Sequence, residues 1–246
     1  MFSSVYDFRT FYNGKVGRVV RRVLQERIRE VWPNLNGLSL MGTGYATPYL
    51  RVFRDEVERE FSVMPAGRGA HIWPHEGPNA VTLCEQAELP IETNSVDRIL
   101  MVHDLEFTEF IKPTFQELWR VLKSNGRMMI VVPNRAGLWA RADWSPFGQG
   151  TPYSVSQITH SLRDNLFVHE RTEEALFMPP LKYAPFLKSA GLFERYGRNV
   201  LPIVSGVHIV EASKQIYASA DRGSGSGVRV RGRGILMPKP VSTYRP

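Results

Sequence analysis

The sequence predicts an α/β fold built on a doubly wound sheet that is mainly parallel. Short apolar runs of strand length alternate with longer segments of helical period, which is the order of repeated β-α-β units. The run Met128–Val132 is apolar throughout, as expected for a strand buried on both faces. A chain of 246 residues, 43% of them hydrophobic, is long enough to bury one large core of this kind.

The first long element is an amphipathic helix predicted within residues 14–33. Its apolar residues recur at helical spacing and are Val16, Val19, Val20, Val23, Leu24, Ile28 and Val31. A second face is basic and carries Lys15, Arg18, Arg22 and Arg29. Pro33 ends the helix because proline lacks the backbone N–H that would continue it. A basic face of this kind is most often solvated, and docking to an acidic partner or a membrane surface is the alternative.

A glycine turn follows the first predicted strand. The apolar run Leu38–Met41 breaks into the turn Gly42–Gly44. A segment predicted as an amphipathic helix over 49–60 then leads to a second strand at Phe61–Met64. Glycine in such a turn lets the backbone approach a ligand and exposes the amides of the next helix. The following stretch, 65–79, is so rich in Pro and Gly that no ordinary crossover helix is expected there.

The rest of the chain continues the alternation of strands and helices. Predicted strands are Ala80–Leu83, Arg98–Val102, Met128–Val132, 166–170 and Val207–Ala212, and predicted helices are Phe107–Leu122, 154–164 and 181–190. Gly126 is expected to form the C-cap of the helix that precedes it.

The net charge of +7 is concentrated at the C-terminal end of the sequence. Residues 222–246 carry six Arg or Lys and no acid, which leaves a charge of +1 for the remainder. Gly, Ser and Arg dominate from Asp221 onward, so we expect a folded domain over 1–220 and a disordered basic tail over 221–246. The near-neutral folded part argues against nucleic acid as the main partner.

Composition also limits where the protein is expected in the cell and which kinds of site it can contain. No apolar run reaches the length of about 18 residues that a membrane span requires. Asp7 and the lack of an apolar segment beside it argue against a secretory signal, and the single Cys84 excludes an internal disulfide or a cysteine-rich zinc site. We therefore expect a cytoplasmic protein. His71 and His75 have a metal-like spacing, but Pro74 prevents a shared helical face, so no metal is expected.

An ordered series of short motifs runs through residues 84–127. The motifs are CEQAELP at Cys84–Pro90, NSVDRIL at Asn94–Leu100, HDLE at His103–Glu106 and FQELWRVLKSNGR at Phe115–Arg127. Their order and spacing resemble the class I, S-adenosylmethionine-dependent methyltransferases of the bacterial methyltransferase type 11-like group. Leu181–Phe193 resembles the segment before the terminal strand pair of that family. The resemblance covers about residues 14–217 and implies a Rossmann-like sheet with an antiparallel terminal strand, and S-adenosylmethionine as cofactor.

The same resemblance implies roles for individual residues. The glycine turn would hold the methionine part of the cofactor, and Glu85 would accept a hydrogen bond from the adenine amino group. The implied cofactor-binding residues are Gly42, Thr43, Gly44, Met64, Glu85, Gln86, Ala87, His103 and Leu105. His103, expected beside the sulfonium, and Tyr45 are the candidate catalytic residues.

The end of the second strand departs from the family pattern. Members usually place an acid there that binds both ribose hydroxyls, whereas this chain has Met64 and Pro65. Glu76 or a backbone group could replace the acid. Two buried hydroxyls without partners would cost about 1–3 kcal/mol each. A catalytically inactive scaffold that binds a protein partner therefore stands as the alternative to an active enzyme.

The loop after the fifth strand is the expected substrate side. Residues Pro133–Tyr153 mix aromatic, basic and amide groups, as a lid over a small-molecule substrate would. The candidate residues are Asn134, Arg135, Trp139 and Tyr153. A packed surface loop is the alternative interpretation. The histidines at 160, 169 and 208 are expected to be structural.

Three further hypotheses concern partners and cofactors. The missing ribose acid, with Arg68 nearby, could suit NADP in an oxidoreductase, although the motifs over 84–100 have no role in that class. The tail over 222–246 could guide an RNA methyltransferase. The resemblance also implies a glyoxalase II-type hydrolase as a candidate partner, with the basic helix at 15–32 as the docking face.

Overall fold

The structure is a computed structural model, and it describes residues 2, 4–183, 186–187, 189–200 and 205–214. The chain divides into two units, Met1–Gln215 and Ile216–Pro246, and the second lies outside the described residues. The disordered tail predicted over 221–246 therefore also lies outside them. None of the helices among the described residues has the length and apolar composition that a membrane span needs.

Six α-helices and seven strands build the part of the chain that the structure describes. The helices are α1 (Val5–Asn13), α2 (Lys15–Val31), α3 (Thr47–Leu50), α4 (Ile111–Val121), α5 (Val155–Asp164) and α6 (Ala190–Val200). The strands are β1 (Ser39–Gly44), β2 (Arg59–Pro65), β3 (Val81–Cys84), β4 (Val96–Val102), β5 (Leu122–Pro133), β6 (Phe167–Ala175) and β7 (Val207–Lys214).

All seven strands form one sheet in the order β3-β2-β1-β4-β5-β7-β6. The strands from β3 to β5 are parallel, and β7 runs antiparallel to both of its neighbours. This confirms the predicted doubly wound α/β sheet with an antiparallel terminal strand. The chain leaves β1 toward β2 and later returns to its other side as β4. In such sheets ligands bind at this switch point, outside the carboxyl ends of the strands.

Both faces of the central strands are buried. Ile99 and Met101 of β4 point into an apolar layer that α4 and α5 cover, while Leu100 and Val102 point into the layer beneath α1 and α2. Alternate residues of a strand face opposite sides, so a strand covered on both sides must be apolar throughout. This burial makes the sheet a firm base for the loops at its carboxyl edge.

The helix predicted over 49–60 is wrong. Helix α3 ends at Leu50, and a 3₁₀ turn at Arg51–Phe53 completes the segment. The Glu56 carboxylate accepts a hydrogen bond from the Leu35 amide at 3.1 Å, and its backbone carbonyl accepts another from the Gly37 amide. These tertiary bonds take the chain out of the helix, and β2 begins at Arg59.

The predicted Gly126 C-cap is also wrong. Helix α4 ends at Val121, and Leu122 already pairs with Val96 as the first residue of β5. Asn125 takes the left-handed backbone conformation, with φ of +61°. Pairing with β4 therefore overrides the helical pattern at this end. The helix predicted near 181–190 lies partly on residues outside the described range, and the helix described beyond it is α6.

Helix α1 was not predicted from the sequence. It has a capping box in which the Ser4 hydroxyl accepts from the Tyr6 amide and the Asp7 carboxylate accepts from the Ser4 amide. Gly14 ends α1 and starts α2, so the two helices meet at a sharp corner. A Cβ on Gly17 would overlap the backbone carbonyl of Phe11. Only glycine at 17 lets α2 pack this closely against α1.

We predict that Gly17→Ala destabilises the protein by about 1–3 kcal/mol, as overpacked sites do. Alanine would otherwise favour the helix by about 1 kcal/mol, so the sign of the change reports the steric conflict. The free energy of unfolding in urea measures it. Gly67→Ala is the control, because no atom lies within 4 Å of a Cβ there. Equal stability of the Gly17 variant and the wild type would contradict the tight α1–α2 corner.

Candidate active site at the carboxyl ends of β1 and β4

The glycine turn after β1 is fixed by close contact with β4. Gly44 has φ of +70°, and a Cβ there would lie 2.5 Å from the Val102 carbonyl oxygen and 2.6 Å from the Asp104 Cβ. The Tyr45 amide donates to the same Val102 carbonyl at 2.7 Å. The fold itself therefore requires glycine at 44, whether or not a ligand is present.

A chain of four buried side chains begins at the end of β4. The hydroxyl of Tyr49 donates to that of Tyr12 at 2.8 Å, and the Tyr12 hydroxyl lies 2.7 Å from His103 Nε2. His103 Nδ1 lies 3.0 Å from Glu106 Oε1. Since the Tyr12 oxygen accepts from Tyr49, we assign its own proton to the bond with Nε2, which leaves the ring proton on Nδ1 facing Glu106. Burial raises the pKa of Tyr12 well above its usual value, so it stays a neutral donor.

Helix α1 closes the groove above this chain. The Phe8 ring stacks on Tyr45 with 5.4 Å between centroids and lies 5.2 Å from the His103 ring. Phe147, from the loop after β5, approaches His103 from another side at 4.8 Å. The space that remains between Phe8, Gly44, Met64 and His103 is only about 10 Å³.

Arg68 crosses the same region from the loop after β2. Its guanidinium donates to the His103 carbonyl at 3.1 Å and lies 4.1 Å from the centre of the Phe107 ring. Burial lowers the pKa of Arg68, while Asp104 and Glu106 act in the opposite direction. The cation therefore faces two buried carboxyl groups.

Asp104 is buried beside this cation. Burial raises its pKa to about 6, although Arg68 and Gln86 favour its charged form. The Gln86 amide nitrogen donates to the Asp104 carboxylate and, at 3.0 Å, to the Thr108 hydroxyl. The segment after β3 is thereby tied to the end of β4.

The proposed cofactor residues fall into three groups. Gly44, Met64 and His103 surround the small remaining space, with the candidate Tyr45, and Gly42 and Thr43 are buried in β1 below them. Gln86 bonds to Asp104, while Glu85 is exposed and Ala87 is half-buried in the loop after β3. Leu105 packs into the apolar layer beneath α4.

The proposed substrate-loop residues mostly hold their loop in place. Asn134 donates to the Ser205 carbonyl at 2.9 Å, and the indole of the buried Trp139 donates to the Met178 carbonyl at 2.7 Å. The Tyr153 hydroxyl donates to the Leu105 carbonyl at 3.4 Å. Arg135 is exposed.

Four residues of the site were not recognised in the sequence: Phe8, Tyr12, Arg68 as a groove residue, and Glu106 as the partner of His103. The first two had a readable signal, since Val5, Phe8 and Tyr12 have the spacing of one helical face behind a capping-box serine. The sequence contains no signal for the role of Arg68, because that role depends on how the loop after β2 folds back over β4.

The raised pKa of Asp104 predicts a pH-dependent stability. The folded state holds this proton more tightly than the unfolded chain, whose pKa is about 3.9. The contribution is therefore fully present below pH of about 4 and is lost as pH rises through about 6. Asp104→Asn should remove this pH dependence, which amounts to at most about 3 kcal/mol. Urea unfolding between these pH values measures it. The exposed Asp55→Asn variant is the control, and an unchanged pH profile in the Asp104 variant would contradict the assignment.

The comparisons with known proteins agree with this geometry. Residues 40–130 match the family model of a methyltransferase domain. No curated protein sequence shows significant similarity to the chain. The solved structure of a possible histamine N-methyltransferase from Thermotoga maritima is 17% identical, with a TM-score of 0.60 over 86% of this chain and 95% of that one.

Two further solved structures are similar. An S-adenosylmethionine-dependent methyltransferase from Archaeoglobus fulgidus is 16% identical, with a TM-score of 0.57 over 79% of this chain and 94% of that one. A Haloferax volcanii protein solved in complex with the Trm112 methyltransferase activator is 14% identical, with a TM-score of 0.57 over 84% and 97% of the two chains. Residues 40–130 thus match a methyltransferase domain, and the sheet of the chain has the fold of these S-adenosylmethionine-dependent methyltransferases.

Proposed function

We propose that the protein is an S-adenosylmethionine-dependent methyltransferase that acts on a small molecule, and that α1 closes its cofactor groove in the state described here. The observation that carries the proposal is the placement of His103. It lies at the end of β4, inside the segment that matches the family model, and a buried carboxylate orients one of its ring nitrogens. The other nitrogen is held by a side chain of α1, outside that segment.

The groove as it stands does not fit the cofactor. Sites for molecules of this size occupy roughly 300–1,000 Å³, against the space of about 10 Å³ found here. Phe8 and Arg68 fill the volume, and no carboxylate follows Met64 to bind a ribose. Binding therefore requires α1 to leave the groove and Arg68 to turn away from the His103 carbonyl.

The chain contains an element that could release the groove. Gly14 alone joins α1 to α2. Among the described residues, the polar contacts of α1 with the groove are those of the Tyr12 hydroxyl with His103 and Tyr49. Burial of Phe8 and Tyr12 stabilises the closed state. Full burial of one large apolar side chain contributes about 1.5–3 kcal/mol. A ligand that binds only the open state loses affinity in proportion to the closed population.

His103 can handle a proton once α1 has moved. Its Nε2 would then lose the Tyr12 hydroxyl, and the hydroxyl of a substrate could take the same place. Glu106 would hold the ring in the Nδ1–H form and stabilise the imidazolium that forms on proton transfer. Glu106 Oε2 is buried with no hydrogen-bond partner among the described residues, which leaves room for a further donor.

A second candidate function is an inactive scaffold that binds a protein partner. It is favoured by the uncharged end of β2 and by Arg68, whose guanidinium places the protein's own cation beside Asp104 and Glu106. The basic face of α2, which carries the exposed Arg18 and Arg22, is the candidate docking surface for such a partner.

Binding of S-adenosylhomocysteine separates the two candidates. We predict that Phe8→Ala tightens this binding about 10- to 100-fold, because weaker docking of α1 enlarges the open population. Isothermal titration calorimetry measures it. Tyr6→Ala is the matched control, since Tyr6 lies on the same helix but is 60% exposed. Absence of binding in both the wild type and the Phe8 variant would favour the scaffold, and binding of NADP alone would favour an oxidoreductase.

The proposed role of His103 has its own test. We predict that His103→Gln lowers kcat by about 10²- to 10⁴-fold, the usual contribution of a general base. The affinity for S-adenosylhomocysteine should not fall, because the variant also loses the Tyr12–His103 hydrogen bond that holds α1 over the groove. Transfer of a labelled methyl group to a panel of small hydroxyl-bearing acceptors measures the rate. His160→Gln is the control, because this histidine is exposed on α5. An unchanged rate in the His103 variant would remove it from the mechanism.

A further inference from the structure

A second cleft adjoins the groove beside His103 and shares Tyr45 with it. Its volume is about 510 Å³, some fifty times that of the closed groove. Three arginines and two histidines line it: Arg9, Arg21, Arg51, His71 and His75. None of the described residues that line it is acidic. The aromatic side chains of Tyr45 and Trp73 form part of its wall.

The three arginines come from separate segments of the chain. Arg9 belongs to α1, Arg21 to α2, and Arg51 follows α3, while the histidines lie on the loop between β2 and β3. The basic face of a single helix follows from helical periodicity, but these three arginines lie on different segments and periodicity does not bring them together. Their convergence is a consequence of the fold.

The walls of the cleft are tied to one another. The Gln25 amide nitrogen of α2 donates to the Pro48 carbonyl of α3 at 2.7 Å. The His71 ring lies within hydrogen-bond distance of the Thr47 hydroxyl, at 3.3 Å, and the Arg54 guanidinium stacks 5.2 Å from the centre of the Trp73 ring. The cleft is therefore already formed without a ligand, as binding sites usually are.

The three arginines of the cleft carry positive charge that no described residue pairs with. Arg9, Arg21 and Arg51 form no ion pair with any residue that the structure describes. Other arginines nearby do, such as Arg29 with Glu56 and Arg54 with Glu60.

Two neighbouring groups respond to the field of these arginines. Burial raises the pKa of Tyr45 to about 12, and Arg9 and Arg21 both act to lower it. Burial lowers the pKa of His71, and Arg9 and His75 contribute in the same direction. The positive potential therefore extends over the cleft.

We propose that this cleft binds a small organic polyanion, one that carries phosphate or several carboxylates. Guanidinium groups bind both chemistries through paired hydrogen bonds, and three of them on converging walls exceed what one carboxylate would neutralise. A cleft of about 510 Å³ is of the size that holds a small molecule. The cleft shares Tyr45 with the groove beside His103, but its arginines do not line that groove, so the proposal does not depend on methyl transfer.

Calorimetric titration of the full chain with pyrophosphate and with citrate, at an ionic strength of about 0.15 M, tests the site and distinguishes the two anion chemistries. We expect at least one of them to bind with Kd below about 1 mM. Arg21→Ala and the exposed Arg51→Ala should each weaken that binding about 10-fold or more. Arg22→Ala is the matched control, because Arg22 is the next residue of α2, is exposed and does not line the cleft.

Three outcomes would overturn the proposal. Neither anion binds; or Arg22→Ala weakens binding as much as Arg21→Ala, which would indicate diffuse surface charge; or a single-stranded RNA oligonucleotide displaces the anion and loses affinity in the same two variants. The Arg51 variant keeps the test valid if the Arg21 variant fails to fold, because Arg51 is exposed.

Discussion

The hydrogen bond between Tyr12 and His103 is the interaction on which the described state of the site depends. It is 2.7 Å long and joins the N-terminal helix to the end of β4, 91 residues further along the chain. Both groups are buried, so breaking the bond without a replacement would cost about 1–3 kcal/mol. The position of Phe8 over Tyr45 and the closure of the groove follow from this docking of α1.

The sheet creates a ligand-sized crevice, and helix α1 fills the same crevice with its own side chains. The strand order creates a crevice at the carboxyl ends of β1 and β4, where α/β sheets bind ligands. Aromatic side chains of α1 and the guanidinium of Arg68 occupy that crevice here. An enzyme with this arrangement binds its cofactor only by displacing its own residues, so closure sets the apparent affinity. The basic cleft beside Tyr45 is formed while α1 is docked, because Arg9 and Tyr12 of α1 line it.

The sheet could be predicted from the sequence because its signals are local. The apolar run at 128–132 and the motifs over 84–127 each lie within one or two elements, and the strands predicted there overlap β3, β4 and β5. His103 lies at the carboxyl end of β4. The closure could not be predicted, since it depends on contacts between α1 and β4 that no local pattern contains. The same holds for the segment after α3, where Glu56 ends the helix through tertiary bonds. Gly14 and Gly17 lie at the α1–α2 corner, but the reason for glycine at these positions can be recognised only from the packing of the two helices.

Hydrogen exchange of α1 with and without saturating S-adenosylhomocysteine tests the central claim most directly. If the ligand and α1 compete for one groove, the amides of residues 5–13 will exchange faster when the ligand is bound, while those of β4 will be protected or unchanged. Binding of the ligand with unchanged or increased protection of α1 would contradict the account.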